Sequence, residues 1–259
     1  MVILKRIALC ALALAATLSC VGQKDDGTDP PEQPSNPSHL LNYGASLILD
    51  FTATWCVNCP RMASAIEEAA KERPGEILLL SVHFQDEFAC DDGKALIERF
   101  GVQAYPSVVV DMDPSTLTTA TSKDLILARM DESKALRKAP CKLVMNSTKK
   151  AGAMEVSVAV TASEEGTYRL CVARLRNGIQ APQTGGSDDY IHHEIFLGFL
   201  QEEGLDGAPL GNLAAGEEAT WTGTTPAENP DDFLIAFVLE EDGRVNTAGT
   251  AEVIRHEDK

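Results

Sequence analysis

The segment 47–60, LILDFTATWCVNCP, constrains the fold more than any other part of the chain, because it joins an apolar run to the start of a helix. Its residues 47–54 predict a buried strand, and residues 57–71 predict a helix. A Pro-Gly break then separates this helix from a second apolar strand at 76–84. A strand, a helix and a strand in this order favour parallel strands joined by a right-handed crossover.

The periodicity of the chain changes at Pro140. Before it, we predict a helix at 93–100, strands at 107–111 and 116–121, and a helix at 122–138 with Ser122 as its N-cap. After it, apolar and polar residues alternate, which predicts strands at 154–160, 168–175, 191–200, 233–239 and 245–254. The sequence thus predicts an α/β domain at 41–140 and an all-β antiparallel, sandwich-like domain at 141–259.

The N-terminus has the pattern of a signal peptide over residues 1–20. Lys5 and Arg6 precede an apolar run at 7–18, which is shorter than the roughly 20 residues that a membrane-spanning helix needs. Residues 17–20, TLSC, resemble a bacterial lipobox, which implies a lipid on Cys20. The alternative is an ordinary signal peptide with an incidental Cys20.

Residues 21–40 form a Pro- and Asp-rich segment that predicts an extended tether. Its residues 23–26, QKDD, resemble the signal that sends Bacteroidetes lipoproteins to the outer face of the outer membrane, and a solvated acidic linker is the alternative. We therefore expect an outer-membrane lipid anchor, with the protein on the cell surface or on the periplasmic face. The formal net charge of −17 argues against a nucleic acid partner.

Cys56 and Cys59 lie three residues apart at the start of the predicted helix, where the helix N-terminus favours a thiolate. This arrangement predicts Cys56 as the nucleophile and Cys59 as the resolving thiol of a redox centre. The alternatives are a structural disulfide and half of a zinc site, for which Cys90, His83 and Cys141 are the candidate ligands. None of these three forms a second CxxC or a close Cys/His pair, so we predict no metal.

The pattern DFxAxWCxxC at 50–59 resembles the active-site strand and helix start of the thioredoxin-like superfamily, and Tyr105-Pro106 resembles its cis-proline loop. The resemblance covers about residues 41–140 and implies a thioredoxin-like domain there. It implies that Pro106 faces the dithiol and that the backbone at Tyr105 pairs with a bound polypeptide.

The same resemblance implies that Asp50 is the buried aspartate that deprotonates the second cysteine. A solvated acid at a strand end is the alternative. Trp55 either shields the thiols or belongs to the core. Two features depart from thioredoxin: the spacer Val57-Asn58 replaces Gly-Pro, and Val82 replaces the lysine beside the aspartate. Reductase and oxidase directions both remain open.

Three further cysteines, Cys90, Cys141 and Cys171, could form one structural bridge in several ways. His192 and Glu194 share one side of a predicted strand, where a polar strand edge is favoured over a metal site. The lipoprotein signal, the WCxxCP motif at 55–60 and a β-rich tail that contains YIHH at 190–193 together resemble the outer membrane protein 28-related lipoproteins of Bacteroidetes. We therefore predict a lipid-anchored thiol–disulfide oxidoreductase acting on protein thiols without a cofactor, or alternatively a non-catalytic surface lipoprotein that uses the scaffold for binding.

Overall fold

The computed structural model describes residues 44–150, 152–226 and 229–251. The first part of the described chain alternates strands and helices: β1 (Ser46–Thr52), α1 (Cys59–Glu72), β2 (Ile77–His83), α2 (Asp91–Phe100), β3 (Ser107–Val110) and α3 (Lys123–Leu136). The strands that follow are β4 (Lys142–Lys150), β5 (Ala153–Thr161), β6 (Gly166–Arg176), β7 (Ile179–Gln180), β8 (Ile191–His192), β9 (Ile195–Phe199), β10 (Ala208–Leu213), β11 (Glu218–Pro226), β12 (Asp232–Leu239) and β13 (Val245–Ala251).

Capping residues explain where α3 begins and where α2 begins and ends. The backbone N–H of Leu125 donates to the Ser122 hydroxyl at 3.3 Å, which confirms Ser122 as the N-cap of α3. At α2, the N–H of Gly93 donates to Cys90 Sγ, and Gly101 ends the helix in the left-handed region with φ +61°. These contacts satisfy backbone groups that the helix ends would otherwise leave without partners.

The main sheet runs through both parts of the chain in the order β13-β12-β6-β9-β2-β1-β3, and β10 also pairs with β6. Strands β1, β2 and β9 run parallel, whereas β3 is antiparallel to β1. A second sheet has the order β11-β5-β4, and β7 pairs with β8. The fold class is therefore confirmed as a thioredoxin fold followed by mostly antiparallel strands.

Two hydrophobic cores lie on the two sides of β6 and β12. One core joins Phe51, Leu80 and Val82 of the first part to Phe196 and Phe237 of the second. The other core packs the small sheet against the outer face of β6 and β12, which gives the sandwich-like layering. The change of pattern at residue 140 thus falls between α3 and β4, but strands from both sides of it share one sheet and one core.

Several predicted elements differ from the structure. The strand predicted at 116–121 is wrong, because a 3-10 turn, Pro114–Thr116, occupies its start and only a single bridge joins Thr118 to Val108. The strand predicted at 191–200 is divided into β8 and β9, since Glu194 adopts φ +49° between them. Helix α1 begins at Cys59, two residues later than predicted.

Candidate functional site

Cys56 and Cys59 form a disulfide at the N-terminus of α1. Cys59 is the first residue of the helix, and Cys56 lies in the turn between β1 and α1. Their exposed fractions are only 4% and 2%. Once the disulfide is reduced, the free N–H groups and the dipole of α1 would favour a thiolate in this turn.

Three aromatic rings lie beside the dithiol. Tyr105 belongs to the same small apolar cluster as both cysteines, and its peptide bond to the buried Pro106 is cis. Its ring stacks on Phe84 and contacts the edge of Trp55, with ring centres 5.0 and 5.7 Å apart. The Trp55 indole N–H donates to the Phe84 carbonyl at 3.0 Å, and the residue is 47% exposed. Trp55 is therefore not a core residue, and its exposed ring offers an apolar contact surface.

Asp50 is a buried carboxyl group on β1, so its solvated alternative is wrong. It is 4% exposed, and its Oδ1 atom has no hydrogen-bond partner among the described residues. Burial raises its pKa to about 7, because desolvation penalises the charged carboxylate. A carboxyl group that titrates near neutral pH can both accept and return a proton.

Asp50 and Cys59 line the same cavity, which has a volume of about 630 Å³. Helix α1 supplies one wall, and the side chains of Ser81 and His83 on β2 line the cavity together with Asp50. Val82 instead belongs to the hydrophobic core on the other face of β2. Ser81, and not Val82, is the β2 residue paired with Asp50, which corrects the sequence-based placement of Val82 beside it.

The C-terminal part of the chain supplies a further wall of this cavity, with Gln183, Tyr190, His192 and Glu194 among its residues. Burial, and then the nearby Asp50, raise the pKa of Tyr190. Burial, and then His83, lower the pKa of His192, whose Nε2 atom has no partner among the described residues. The sequence-based interpretation of this segment as a polar strand edge missed its position beside the dithiol.

His83 also connects this wall to the loop after β1. Its Nδ1 atom lies 2.7 Å from Asp86 Oδ2, which accepts the backbone N–H of Thr54 at 2.8 Å. The ring centres of His83 and His192 are 5.6 Å apart. Burial raises the pKa of Asp86, but the hydrogen bonds from His83 and from the backbone N–H groups of Thr54 and Phe88 outweigh burial. The pKa of Asp86 is therefore lowered. Asp86 thus fixes the turn that leads into Trp55.

Gln183 and Thr184 hydrogen-bond the C-terminal part to the dithiol turn. Its side-chain amide Nε2 donates to the carbonyls of Ala53, Cys56 and Thr184 at 3.2, 3.0 and 3.1 Å. The backbone N–H of Thr184 also donates to the Thr54 carbonyl at 2.8 Å. Sequence reasoning missed these residues, although the neighbouring Gly185-Gly186 pair indicates a turn that can approach another backbone closely.

The other predicted residues lie apart from this site. Cys90, Cys141 and Cys171 are free thiols, so none of them forms the structural bridge considered from the sequence. In the described ranges, no group of three or more His, Cys, Asp and Glu side chains could hold a metal ion. Cys20 and the tether lie outside the described residues. None of the helices in the described part combines the length and apolar character that crossing a bilayer requires.

Solved structures resemble most of this chain. HBP35 of Porphyromonas gingivalis superimposes with a TM-score of 0.68 at 21% identity, over 84% of this chain and 79% of that one. A protein of Agrobacterium tumefaciens gives a TM-score of 0.55 at 14% identity, over 83% of this chain and 97% of its own. Both likenesses concern the fold, and they extend beyond the first part of the chain.

Sequence comparison places the similarity in the first part. Thioredoxin H-type of Chlamydomonas reinhardtii is 31% identical over 90 residues, which cover 35% of this chain and 70% of the relative. Protein disulfide-isomerase 2-3 of Arabidopsis thaliana is 29% identical over 99 residues, and the chain spans only about a fifth (21%) of its length. The thioredoxin family model matches residues 35–132. Through these residues, the chain belongs to the thioredoxin family.

Proposed function

We propose that this protein is a thiol–disulfide oxidoreductase that acts on protein thiols through Cys56 and Cys59. The observation that carries the proposal is the disulfide at the N-terminus of α1, which shares a cavity with a carboxyl group whose pKa is raised to about 7. The similarity to thioredoxins and to a protein disulfide-isomerase supports this chemistry.

The reaction follows from the positions of the three groups. In the reduced protein, the Cys56 thiolate attacks one sulfur of a substrate disulfide, forms a mixed disulfide and releases the other substrate sulfur as a thiolate. Asp50 accepts the proton of Cys59, and the Cys59 thiolate then attacks Cys56 Sγ and releases the second substrate thiolate. Two electrons pass to the substrate, and the Cys56–Cys59 disulfide is formed. The same steps in reverse insert a disulfide into a dithiol substrate.

Replacement of Cys56 tests the enzymatic proposal. We expect Cys56→Ser to abolish both insulin reduction and the oxidation of reduced ribonuclease, because the thiol that forms the mixed disulfide with the substrate is removed. Cys90→Ser is the matched control, since Cys90 is a free thiol outside the dithiol turn. The proposal fails if the wild-type protein and Cys56→Ser are equally inactive in both assays.

The substrates can be identified by trapping. In Cys59→Ser, the mixed disulfide on Cys56 has no resolving thiol, so we expect substrate proteins to accumulate as covalent complexes. Non-reducing gels followed by mass spectrometry would name them. The double variant Cys56→Ser/Cys59→Ser should capture none, and equal capture by both variants would count against Cys56 as the nucleophile.

We also propose that the protein is anchored in the outer membrane by lipid on Cys20, on the model of the outer membrane protein 28-related lipoproteins. The support is the N-terminal sequence pattern and the tether at 21–40. Labelling of cells with an alkyne fatty acid should mark the wild-type protein and not Cys20→Ala. Protease treatment of intact cells would separate a surface location from a periplasmic one.

A non-catalytic surface lipoprotein is the competing proposal, and the deep burial of both cysteines favours it. In that case, the disulfide would serve as a structural staple of a binding scaffold. A Cys56–Cys59 reduction potential well below about −300 mV would support this alternative, whereas a higher potential supports exchange with protein thiols.

A further inference from the structure

A short segment of the C-terminal part is packed directly against the turn that carries the dithiol. We call residues 183–185 the clamp segment. Its Gln183 amide reaches the Cys56 carbonyl at 3.0 Å and the Ala53 carbonyl at 3.2 Å, while the Thr184 N–H donates to the Thr54 carbonyl. The segment, which lies outside the thioredoxin-like region, therefore hydrogen-bonds to the carbonyls of three residues of the turn: Ala53, Thr54 and Cys56.

The fit between the clamp segment and the turn leaves no space for a side chain at Gly185. A Cβ atom built on Gly185 would overlap the Val57 carbonyl oxygen, and the residue adopts φ +81°. Only glycine combines this left-handed backbone with so close an approach. The contact also places the backbone of the clamp segment against the spacer between the two cysteines.

Gln183 is itself buried, with an exposed fraction of 6%. A buried amide is stable only when its hydrogen-bonding groups have partners. The N–H groups of Gln183 find theirs in the dithiol turn and in the Thr184 carbonyl. The positive end of the amide dipole consequently points at the turn in which Cys56 would become a thiolate.

We propose that Gln183 is a positioning residue of the dithiol: its amide fixes the carbonyl of Cys56 and favours the reduced, thiolate form over the disulfide. This inference rests on the proposed redox function, whose site it extends into the C-terminal part. The disulfide carries no charge, whereas the reduced state carries a thiolate. Loss of an N–H dipole directed at this turn therefore destabilises the reduced state more than the oxidised one.

The test is the thiol–disulfide equilibrium of Cys56 and Cys59 in glutathione buffers, measured by alkylation and mass spectrometry. We expect Gln183→Met, which keeps the length of the side chain and removes its N–H groups, to shift the equilibrium toward the disulfide by about three- to tenfold, as the loss of about one hydrogen bond predicts. Gln180→Met is the matched control, because Gln180 is exposed on β7, and it should leave the equilibrium unchanged.

A purely structural role would lower the unfolding midpoint of Gln183→Met but leave this equilibrium at the wild-type value, and that result would overturn the proposal. Failure of the wild-type disulfide to equilibrate with glutathione at all would count instead against the redox function. Both outcomes can be distinguished in the same experiment.

A second variant decides the question if Gln183→Met does not fold. Gly185→Ala should push the clamp segment off the turn and shift the equilibrium in the same direction. Gly178→Ala is its control, because Gly178 also has a positive φ, +72°, but a Cβ there meets nothing within 4 Å. An equal equilibrium constant in both glycine variants would overturn the proposal.

Discussion

At the scale of single residues, Asp50 makes the stability of the protein depend on pH. Burial raises its native pKa to about 7, whereas an aspartate in the unfolded chain titrates near about 3.9. The native state therefore binds the Asp50 proton more tightly, and its contribution to the unfolding free energy falls as the pH rises from about 4 to about 7. Above that range, the unfavourable contribution is constant.

We expect Asp50→Asn to raise the free energy of unfolding at pH 8 by up to about 4 kcal/mol and to change it little at pH 4, since the native carboxyl is then protonated and about half of the unfolded chains still carry the proton as well. Urea unfolding of the oxidised protein at the two pH values measures this difference. Asp188→Asn, at an exposed position, is the control. An equal gain at pH 4 and pH 8 would show that packing, and not ionisation, causes the effect.

The same carboxyl group should control the rate of the resolving step. Because ionised Asp50 accepts the Cys59 proton, the decay of the mixed disulfide should accelerate with pH and level off above about pH 7. In Asp50→Asn, this rise should be lost and the step slowed by about tenfold or more at pH 7. Stopped-flow release of a chromophoric thiol from the mixed disulfide measures the rate. An unchanged pH profile in the variant would exclude Asp50 as the base.

The residues of this site differ in how far the sequence predicts them. Cys56, Cys59 and Asp50 lie in one short segment whose pattern resembles thioredoxin, so their proximity follows from local structure. Gln183 lies 127 residues from Cys56, and its partners are backbone carbonyls. Backbone groups leave no trace in the side-chain pattern, so a single glutamine in a Gly- and Asp-rich loop carries no signal of this contact.

Between elements, a buried ion pair joins the end of α3 to the residue that follows β3, and both of its side chains also hydrogen-bond to the start of β1. Arg137, the C-cap of α3, pairs with Asp111 and donates to the Ala45 carbonyl and the Ser46 hydroxyl at 3.2 and 3.1 Å. Asp111 Oδ1 in turn accepts the Leu47 N–H at 2.8 Å. Both side chains of the pair are nearly inaccessible to solvent.

We expect Arg137→Met to lower the free energy of unfolding by about 3–5 kcal/mol, because it leaves the Asp111 carboxylate buried without its counter-charge. Arg129→Met is the matched control: Arg129 pairs with Glu132 at a more exposed position of the same helix, so its loss should cost less than about 1 kcal/mol. Chemical denaturation measures both values. Similar losses in the two variants would contradict a special role of the buried pair.

The sequence predicts elements formed by neighbouring residues better than the pairing of distant ones. The β1-α1-β2 unit follows from periodicity and short connections. The division between β8 and β9 depends instead on contacts with β2, where the Ser81 N–H donates to the Glu194 carbonyl at 2.8 Å. The alternation of apolar and polar residues along 191–200 predicts one continuous strand. This alternation does not show which strand of the sheet the segment will pair with.

At the scale of the whole molecule, the C-terminal part completes the thioredoxin-like part in two ways. Strand β9 pairs with β2 and covers what would otherwise be an open sheet edge. Residues of β6, β9 and β12 also fill the core beneath β1 and β2, among them Cys171, Phe196 and Phe237. The described residues accordingly belong to one compact unit.

This shared core predicts that residues 36–140 do not fold stably without the rest. Without the C-terminal part, Phe51, Leu80 and Val82 would be exposed to water, and the backbone of β2 would be unpaired on one side. We expect the fragment 36–140 to lose its cooperative urea transition and near-ultraviolet circular dichroism, while 36–259 retains both. The fragment should also bind a dye specific for exposed apolar surface. A cooperative transition of 36–140 at the midpoint of 36–259 would show instead that the thioredoxin-like part is an independent folding unit that only docks against the C-terminal strands.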